Sequence, residues 1–120
     1  VVLLNLPMKR IMEHNEKIGR QIGQIMYTLF NTDFPQLKSF MPKNMNKNDC
    51  GLTHGDMCSN IIVNPKTMDV VGIIDWEYAR YDSLMREFFG IFRVRRKMRQ
   101  TDIAAYAIRE YWDIMHKNTK

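Results

Sequence analysis

The stretch that decides the fold runs from residue 52 to residue 63 and reads Leu-Thr-His-Gly-Asp-Met-Cys-Ser-Asn-Ile-Ile-Val. After a short polar connection, residues 70–77 read Val-Val-Gly-Ile-Ile-Asp-Trp-Glu. Short apolar runs bounded by turn-forming residues are typical of strands. We therefore predict strands at residues 51–54, 61–63 and 70–74, with a hairpin turn between the last two.

Four polar side chains stand at the ends of these predicted strands, namely His54, Asp56, Asn60 and Asp75. Taken singly, Asp56 could cap a loop and Asp75 could cap a helix. Taken together they fit phosphoryl transfer, in which one carboxylate orients or deprotonates a hydroxyl while an amide and a second carboxylate hold magnesium on the phosphates. The pattern favours this chemistry over ordinary packing, because Asp is rarely buried without a partner.

His54-Gly55-Asp56, residues 60–63 (Asn-Ile-Ile-Val) and residues 72–79 (Gly-Ile-Ile-Asp-Trp-Glu-Tyr-Ala) resemble the second half of the aminoglycoside phosphotransferase family. That family includes choline-kinase-like enzymes and shares the protein-kinase fold. The close resemblance covers about residues 50–79.

The resemblance implies a role for each polar residue. Asp56 would be the catalytic base, His54 would orient the catalytic loop, and Asn60 and Asp75 would hold Mg²⁺. ATP would be the phosphoryl donor, and a small-molecule hydroxyl would be the acceptor.

The resemblance also implies an α+β fold, namely the mostly helical C-terminal lobe of a kinase-like protein with a short β-hairpin carrying the catalytic loop. Residues 1–120 would then form one partial domain, a C-lobe fragment without the N-terminal nucleotide lobe. Residues 1–49 contain no glycine-rich run and no lysine-bearing strand for the phosphates, since Gly19 and Gly23 are isolated within a helical pattern. We therefore expect this chain alone to be inactive.

The loop between Asp56 and Asn60 departs from the family pattern, which has four intervening residues. Here there are three, Met57, Cys58 and Ser59. One missing residue shifts Asn60 by up to ~3.5 Å in an extended chain, and Mg²⁺ requires near-ideal octahedral geometry. Either the loop tightens and still delivers Asn60, or this ligand is misplaced.

Two other functions remain open. The missing lobe and the short loop favour a catalytically dead kinase-like module that binds or scaffolds, or a degenerate fragment. The net charge of +5 and the basic residues within 86–99 would suit a nucleic-acid binder, but they also suit the solvated end of a helix. We favour the helix end, because a nucleic-acid binder would leave the pattern from His54 to Asp75 unexplained.

Size and composition set the broad class of the protein. A chain of 120 residues with 45% hydrophobic residues predicts one globular domain. No apolar run approaches the ~20 residues that span a membrane, and no export signal is evident, so we expect a cytoplasmic protein. Cys50, His54 and Cys58 are spaced four apart, as zinc ligands could be, but no fourth ligand follows, which favours reduced cysteines.

Apolar residues at helical spacing predict three helices, over residues 8–30, over residues 81–98 and after residue 101. In the first of these, Gly19 and Gly23 would lie one above the other. This spacing either permits a close approach of another helix or simply weakens the helix.

Overall fold

A computed structural model describes residues 1–36, 50–92 and 100–118 of the protein. After a 3-10 turn at Leu3–Asn5, the elements in chain order are α1 (Met8–Glu13), α2 (Asn15–Asn31), β1 (Gly51–Thr53), β2 (Ile61–Val63), β3 (Val70–Ile73), β4 (Arg80–Asp82), α3 (Leu84–Phe92) and α4 (Gln100–Asn118). Among the helices described, none is long and apolar enough to cross a membrane.

The described strands form two small antiparallel sheets, one pairing β2 with β3 and the other pairing β1 with β4. The hairpin of β2 and β3 turns at Asn64, whose side-chain oxygen accepts the backbone N–H groups of Lys66 and Thr67. This turn chemistry holds the hairpin register without a glycine. The protein is therefore an α+β fold, and the predicted strands are found to within one residue at their ends.

Two helix predictions need correction. The helix expected over residues 8–30 is divided at His14, whose φ of −123° and ψ of 17° leave helical geometry. The helix expected from residue 81 begins only at Leu84, because Arg80–Asp82 is a strand paired with β1. Tyr81 is buried on this strand, so its side chain packs as part of a sheet and not of a helix. Residues 93–98 of that prediction lie outside the described residues, as does the basic stretch 93–99.

The core lies between α2 and α4. Ile18, Ile22 and Met26 on α2 are buried against Ile103 and Ala107 on α4. Burying a branched aliphatic side chain contributes about 1.5–3 kcal/mol, so this interface is the main source of stability that the described contacts reveal.

The two glycines of α2 let α4 come close. A Cβ atom added to Gly23 would lie 2.5 Å from the carbonyl oxygen of Ala107, and one added to Gly19 would lie 2.5 Å from that of Ile103. Of the two interpretations offered by the sequence, close helix approach is therefore confirmed.

Polar side chains of α1 and α2 attach the far end of the β2–β3 hairpin to the helices. Arg10 donates to the carbonyl oxygens of Pro65 and Lys66, and Lys17 forms an ion pair of 3.0 Å with Asp69. Gln21 donates to Asp69 and accepts the N–H of Val70. The strand that leads to Asp75 is thus fixed to the helical body at its start.

Candidate active site

The imidazole of His54 joins the loop after β1 to the end of β3. It is fully buried, its Nδ1 accepts the backbone N–H of Asp56 at 3.0 Å, and its Nε2 lies 2.6 Å from the carbonyl oxygen of Ile74. A carbonyl only accepts hydrogen bonds, so Nε2 carries the proton and Nδ1 is the acceptor. His54 is therefore neutral, and its ring connects Asp56, the candidate base, with Ile74, which precedes Asp75.

Asn60 closes the shortened loop onto itself. Its side-chain Nδ2 donates to the carbonyl oxygen of Asp56 at 2.7 Å, and its backbone N–H donates to Met57 at 3.0 Å. Met57 is fully buried beneath the turn. These two hydrogen bonds tighten the loop, and the delivery of Asn60 to a metal stays a prediction. With Nδ2 committed to Asp56, the atom that Asn60 could offer to a metal is Oδ1.

A ring of hydrogen bonds brings the candidate residues together. His54 binds Asp56, Asp56 binds Asn60, the carbonyl of Asn60 accepts the N–H of Ile74 at 3.0 Å, and the carbonyl of Ile74 returns to His54. Asp75 follows directly and is exposed, with a φ of 57°. Asp tolerates this left-handed conformation better than most residues, since its short side chain bonds locally. The antiparallel pairing of β2 with β3 thus places Asp75 beside the loop.

The turn between His54 and Asp56 requires glycine at position 55. Its φ is 88°, and a Cβ atom would overlap the carbonyl oxygen of Tyr78. Any other residue would meet both backbone strain and a steric clash. Trp76 packs its ring edgewise against the ring of His54, with the ring centroids 4.6 Å apart. Its indole N–H donates to the carbonyl oxygen of Ile73. Trp76 therefore helps to hold the His54 ring in place.

Glu87 was not predicted as part of the site. It lies in the first turn of α3, is 5% exposed, and accepts the backbone N–H groups of His54 and Gly55. Burial raises the pKa of this carboxyl, against the opposing effects of the two backbone N–H groups and of the charge of Arg80. An acid among the apolar residues of a predicted helix was the only sequence signal that could have suggested it, since its partners are more than 30 residues away.

The donor chemistry suits Mg²⁺ better than zinc. Both ring nitrogens of His54 already have protein partners, so His54 is not available as a metal ligand. Nor does the described part of the chain bring together three His, Cys, Asp or Glu side chains as ligands. Asn60 and Asp75 offer oxygen atoms from neighbouring strand ends, which is the ligand type that Mg²⁺ prefers.

Comparison with known proteins supports the resemblance. Residues 7–116 match the phosphotransferase enzyme family. The match covers most of the chain, so the protein belongs to the phosphotransferase enzyme family. No curated protein matches the chain, and no solved structure matches it. The resemblance that the motifs indicated is thereby confirmed at the level of the family.

Proposed function

We propose that this chain carries the catalytic lobe of an ATP- and Mg²⁺-dependent phosphotransferase that acts on a small-molecule hydroxyl, and that its fold is the C-terminal lobe of a kinase-like protein. The single observation that carries the proposal is the closed ring of hydrogen bonds through His54, Asp56, Asn60 and Ile74. It supports the proposal because phosphoryl transfer depends on positioning and electrostatics more than on covalent chemistry.

In this proposal Asp56 orients the acceptor hydroxyl and receives its proton. Asp56 is half-buried at the surface of the loop. Its backbone is held on both sides, by His54 through the N–H and by Asn60 through the carbonyl. A base held in this way loses little freedom when the acceptor binds.

Asn60 and Asp75 are the residues that would hold Mg²⁺. When bound, the metal would neutralise charge on the phosphates of the donor. Asp75 contributes a negative charge at the end of a strand, and Asn60 contributes a neutral oxygen from the tightened loop. We therefore expect Asp75 to matter more for metal affinity than Asn60.

Titration with Mn²⁺ tests the metal site. Asp75→Asn removes the charge but keeps a residue that tolerates positive φ, and Asn60→Ala removes the amide. We expect both variants to bind Mn²⁺ more weakly than the wild type in calorimetry, with the larger loss for Asp75→Asn. Asp33→Asn, an exposed Asp outside the site, is the matched control and should leave the affinity unchanged.

Wild-type affinity retained in Asp75→Asn would rule out the metal site. The same titration addresses the alternative of a dead kinase-like binding module, which the short loop favours. If Asn60→Ala loses as much affinity as Asp75→Asn, the tightened loop delivers its amide oxygen, and the catalytic function gains over the binding module.

A further inference from the structure

Two arginines converge on one buried carboxylate where β4 meets α3. Arg80 Nε donates to Asp82 Oδ2 at 2.9 Å, and Arg86 Nε lies 3.5 Å from Asp82 Oδ1. The Asp82 side chain is 10% exposed and also accepts the backbone N–H of Ser83. Burial acts to raise the pKa of Asp82, but these hydrogen bonds and the charges of both arginines outweigh it, so the pKa is lowered. Asp82 is therefore ionised at neutral pH and holds the two guanidinium groups together.

The outer nitrogens of both guanidinium groups face away from this carboxylate. The side chains of Arg80 and Arg86 are 52% and 70% exposed, and each approaches Asp82 through Nε. Within residues 1–36, 50–92 and 100–118, no hydrogen bond involves a terminal nitrogen of either arginine. Guanidinium groups bind carboxylate and phosphate through several N–H donors at once. Two of them held on one carboxylate therefore offer a set of donors that suits an oxyanion.

This pair of arginines lies on the flank of the candidate catalytic loop. Arg80 pairs with Thr53 across β1 and β4, and its carbonyl oxygen accepts the hydroxyl of Thr53, the residue that precedes His54. The charge of Arg80 also acts on Glu87, whose carboxylate accepts the backbone N–H groups of His54 and Gly55. An anion bound by Arg80 would therefore lie beside the loop that carries the candidate base.

We propose that Arg80 and Arg86 bind an oxyanion of the acceptor, so that the acceptor carries a carboxylate or phosphate group as well as its hydroxyl. This inference rests on the proposed function, because it assumes that an acceptor binds at Asp56. In that function the metal at Asn60 and Asp75 neutralises the phosphates of the donor. The arginine pair is a second cationic group on a different pair of elements, and it matches a second anion. The pair disfavours a cationic acceptor through charge repulsion.

Titration with inorganic phosphate tests the site in the wild type. In nitrogen–proton NMR spectra, phosphate should shift the side-chain Nε–H signals of Arg80 and Arg86. It should leave the signal of Arg109, an exposed arginine on α4, unchanged. No shift for Arg80 and Arg86, or an equal shift for Arg109, would overturn the proposal. This measurement needs no variant and so does not depend on the folding of one.

Matched variants measure the contribution of each arginine. Arg80→Gln and Arg86→Gln each remove one cation, and hydrogen bonds to charged groups are the stronger class. We expect each to weaken phosphate binding by about tenfold at constant ionic strength. Arg109→Gln lowers the net charge by the same amount and should leave the affinity unchanged. Wild-type affinity in Arg86→Gln, whose side chain is largely exposed, or an equal loss in Arg109→Gln would overturn the proposal.

Two phosphate monoesters of equal charge distinguish the acceptor from the donor as the source of the oxyanion. Glycerol phosphate is an acidic compound with free hydroxyl groups, whereas adenosine monophosphate carries the base and sugar of a nucleotide. We expect glycerol phosphate to bind at least as tightly as adenosine monophosphate. Tighter binding of adenosine monophosphate would assign the arginines to the donor and overturn the assignment to the acceptor.

The titrations with phosphate and with Mn²⁺ separate failure of this inference from failure of the proposed function. If the wild type binds Mn²⁺ but phosphate leaves the signals of Arg80 and Arg86 unchanged, the metal site stands and this inference is wrong. If phosphate binds at the two arginines but the wild type binds no Mn²⁺, the metal site is wrong. The oxyanion site then stands, and its assignment to an acceptor falls with the proposed function.

Discussion

Glu87 is a single residue of the site whose burial in ionised form lowers the free energy of unfolding. Its carboxylate is buried beside two backbone N–H groups, yet burial dominates and raises its pKa above the ordinary value of 4.5. The folded protein therefore holds a proton on Glu87 more readily than the unfolded chain does. Ionisation of this carboxyl as the pH rises therefore costs folding free energy.

The sign of this linkage gives a pH prediction. Because the pKa is raised on folding, the contribution of Glu87 to the free energy of unfolding is fully present below pH 4.5 and is lost as the pH rises through the raised value of the folded state. We expect the stability of the wild type, relative to Glu87→Gln, to fall across this window. Urea denaturation at a series of pH values measures the difference, and one that stayed level or rose with pH would contradict the prediction.

At the scale of the elements, the packing of α2 on α4 depends on small residues facing backbone. Gly23 faces the carbonyl of Ala107 and the Cβ atom of Glu110, at 2.5 and 2.8 Å from a hypothetical Cβ. A backbone oxygen cannot turn away as a flexible side chain can, so a methyl group here must separate the helices.

We predict that Gly23→Ala destabilises the protein although alanine is the better helix former. Helix propensity alone would add about 1 kcal/mol of stability, but overpacking typically costs about 1–3 kcal/mol, and occasionally more. With backbone on the opposing side we expect a net loss in the free energy of unfolding. Thr28→Ala, on the exposed face of the same helix, is the control and should be neutral or stabilising. A Gly23→Ala protein as stable as Thr28→Ala would show that the helices can separate at little cost.

The sequence predicted the secondary structure correctly where the spacing of apolar residues matches their burial in the folded protein. The runs around Ile61 and Val70 are strands as expected, because apolar, β-branched residues flanked by Asn and Asp have few other solutions. Tyr81 was misassigned because its spacing to Leu84 and Phe88 also fits a helix, and only the pairing of β4 with Gly51 decides the matter. Glu87 was missed for the same reason, since its role depends on contacts with residues far away in the sequence.

At the scale of the whole molecule, the point is whether this chain alone can catalyse phosphoryl transfer. Phosphoryl transfer requires that the donor phosphates be held as well as the acceptor. The sequence of residues 1–49 contains no glycine-rich run, and the described residues 1–36 form no lysine-bearing strand that would hold them. In the proposed function, the described site would bind the acceptor and the metal, but no motif in residues 1–49 would bind the nucleotide.

We therefore predict no measurable turnover when this chain alone is incubated with ATP, Mg²⁺ and a panel of amino alcohols and sugars. Release of ADP by a coupled assay is the measurement. Asp56→Asn is the control, because it removes the candidate base and leaves the shape of the side chain nearly unchanged. ADP release that Asp56→Asn abolishes would show that this chain holds the nucleotide by itself.

The edges of the β2–β3 hairpin bear on self-association of the protein. Val2 covers the outer side of β2 by a bridge to Ile62, whereas within the described ranges no strand covers the outer side of β3. Val71 lies on β3 with 62% of its surface exposed, and the register passes from Gly72 to Val70, which makes Val71 the extra residue of a bulge. A bulge interrupts the regular row of donors and acceptors that a strand of another molecule would need. The protein can therefore display an apolar strand at high concentration while its irregular backbone resists the edge-to-edge growth that leads to aggregates.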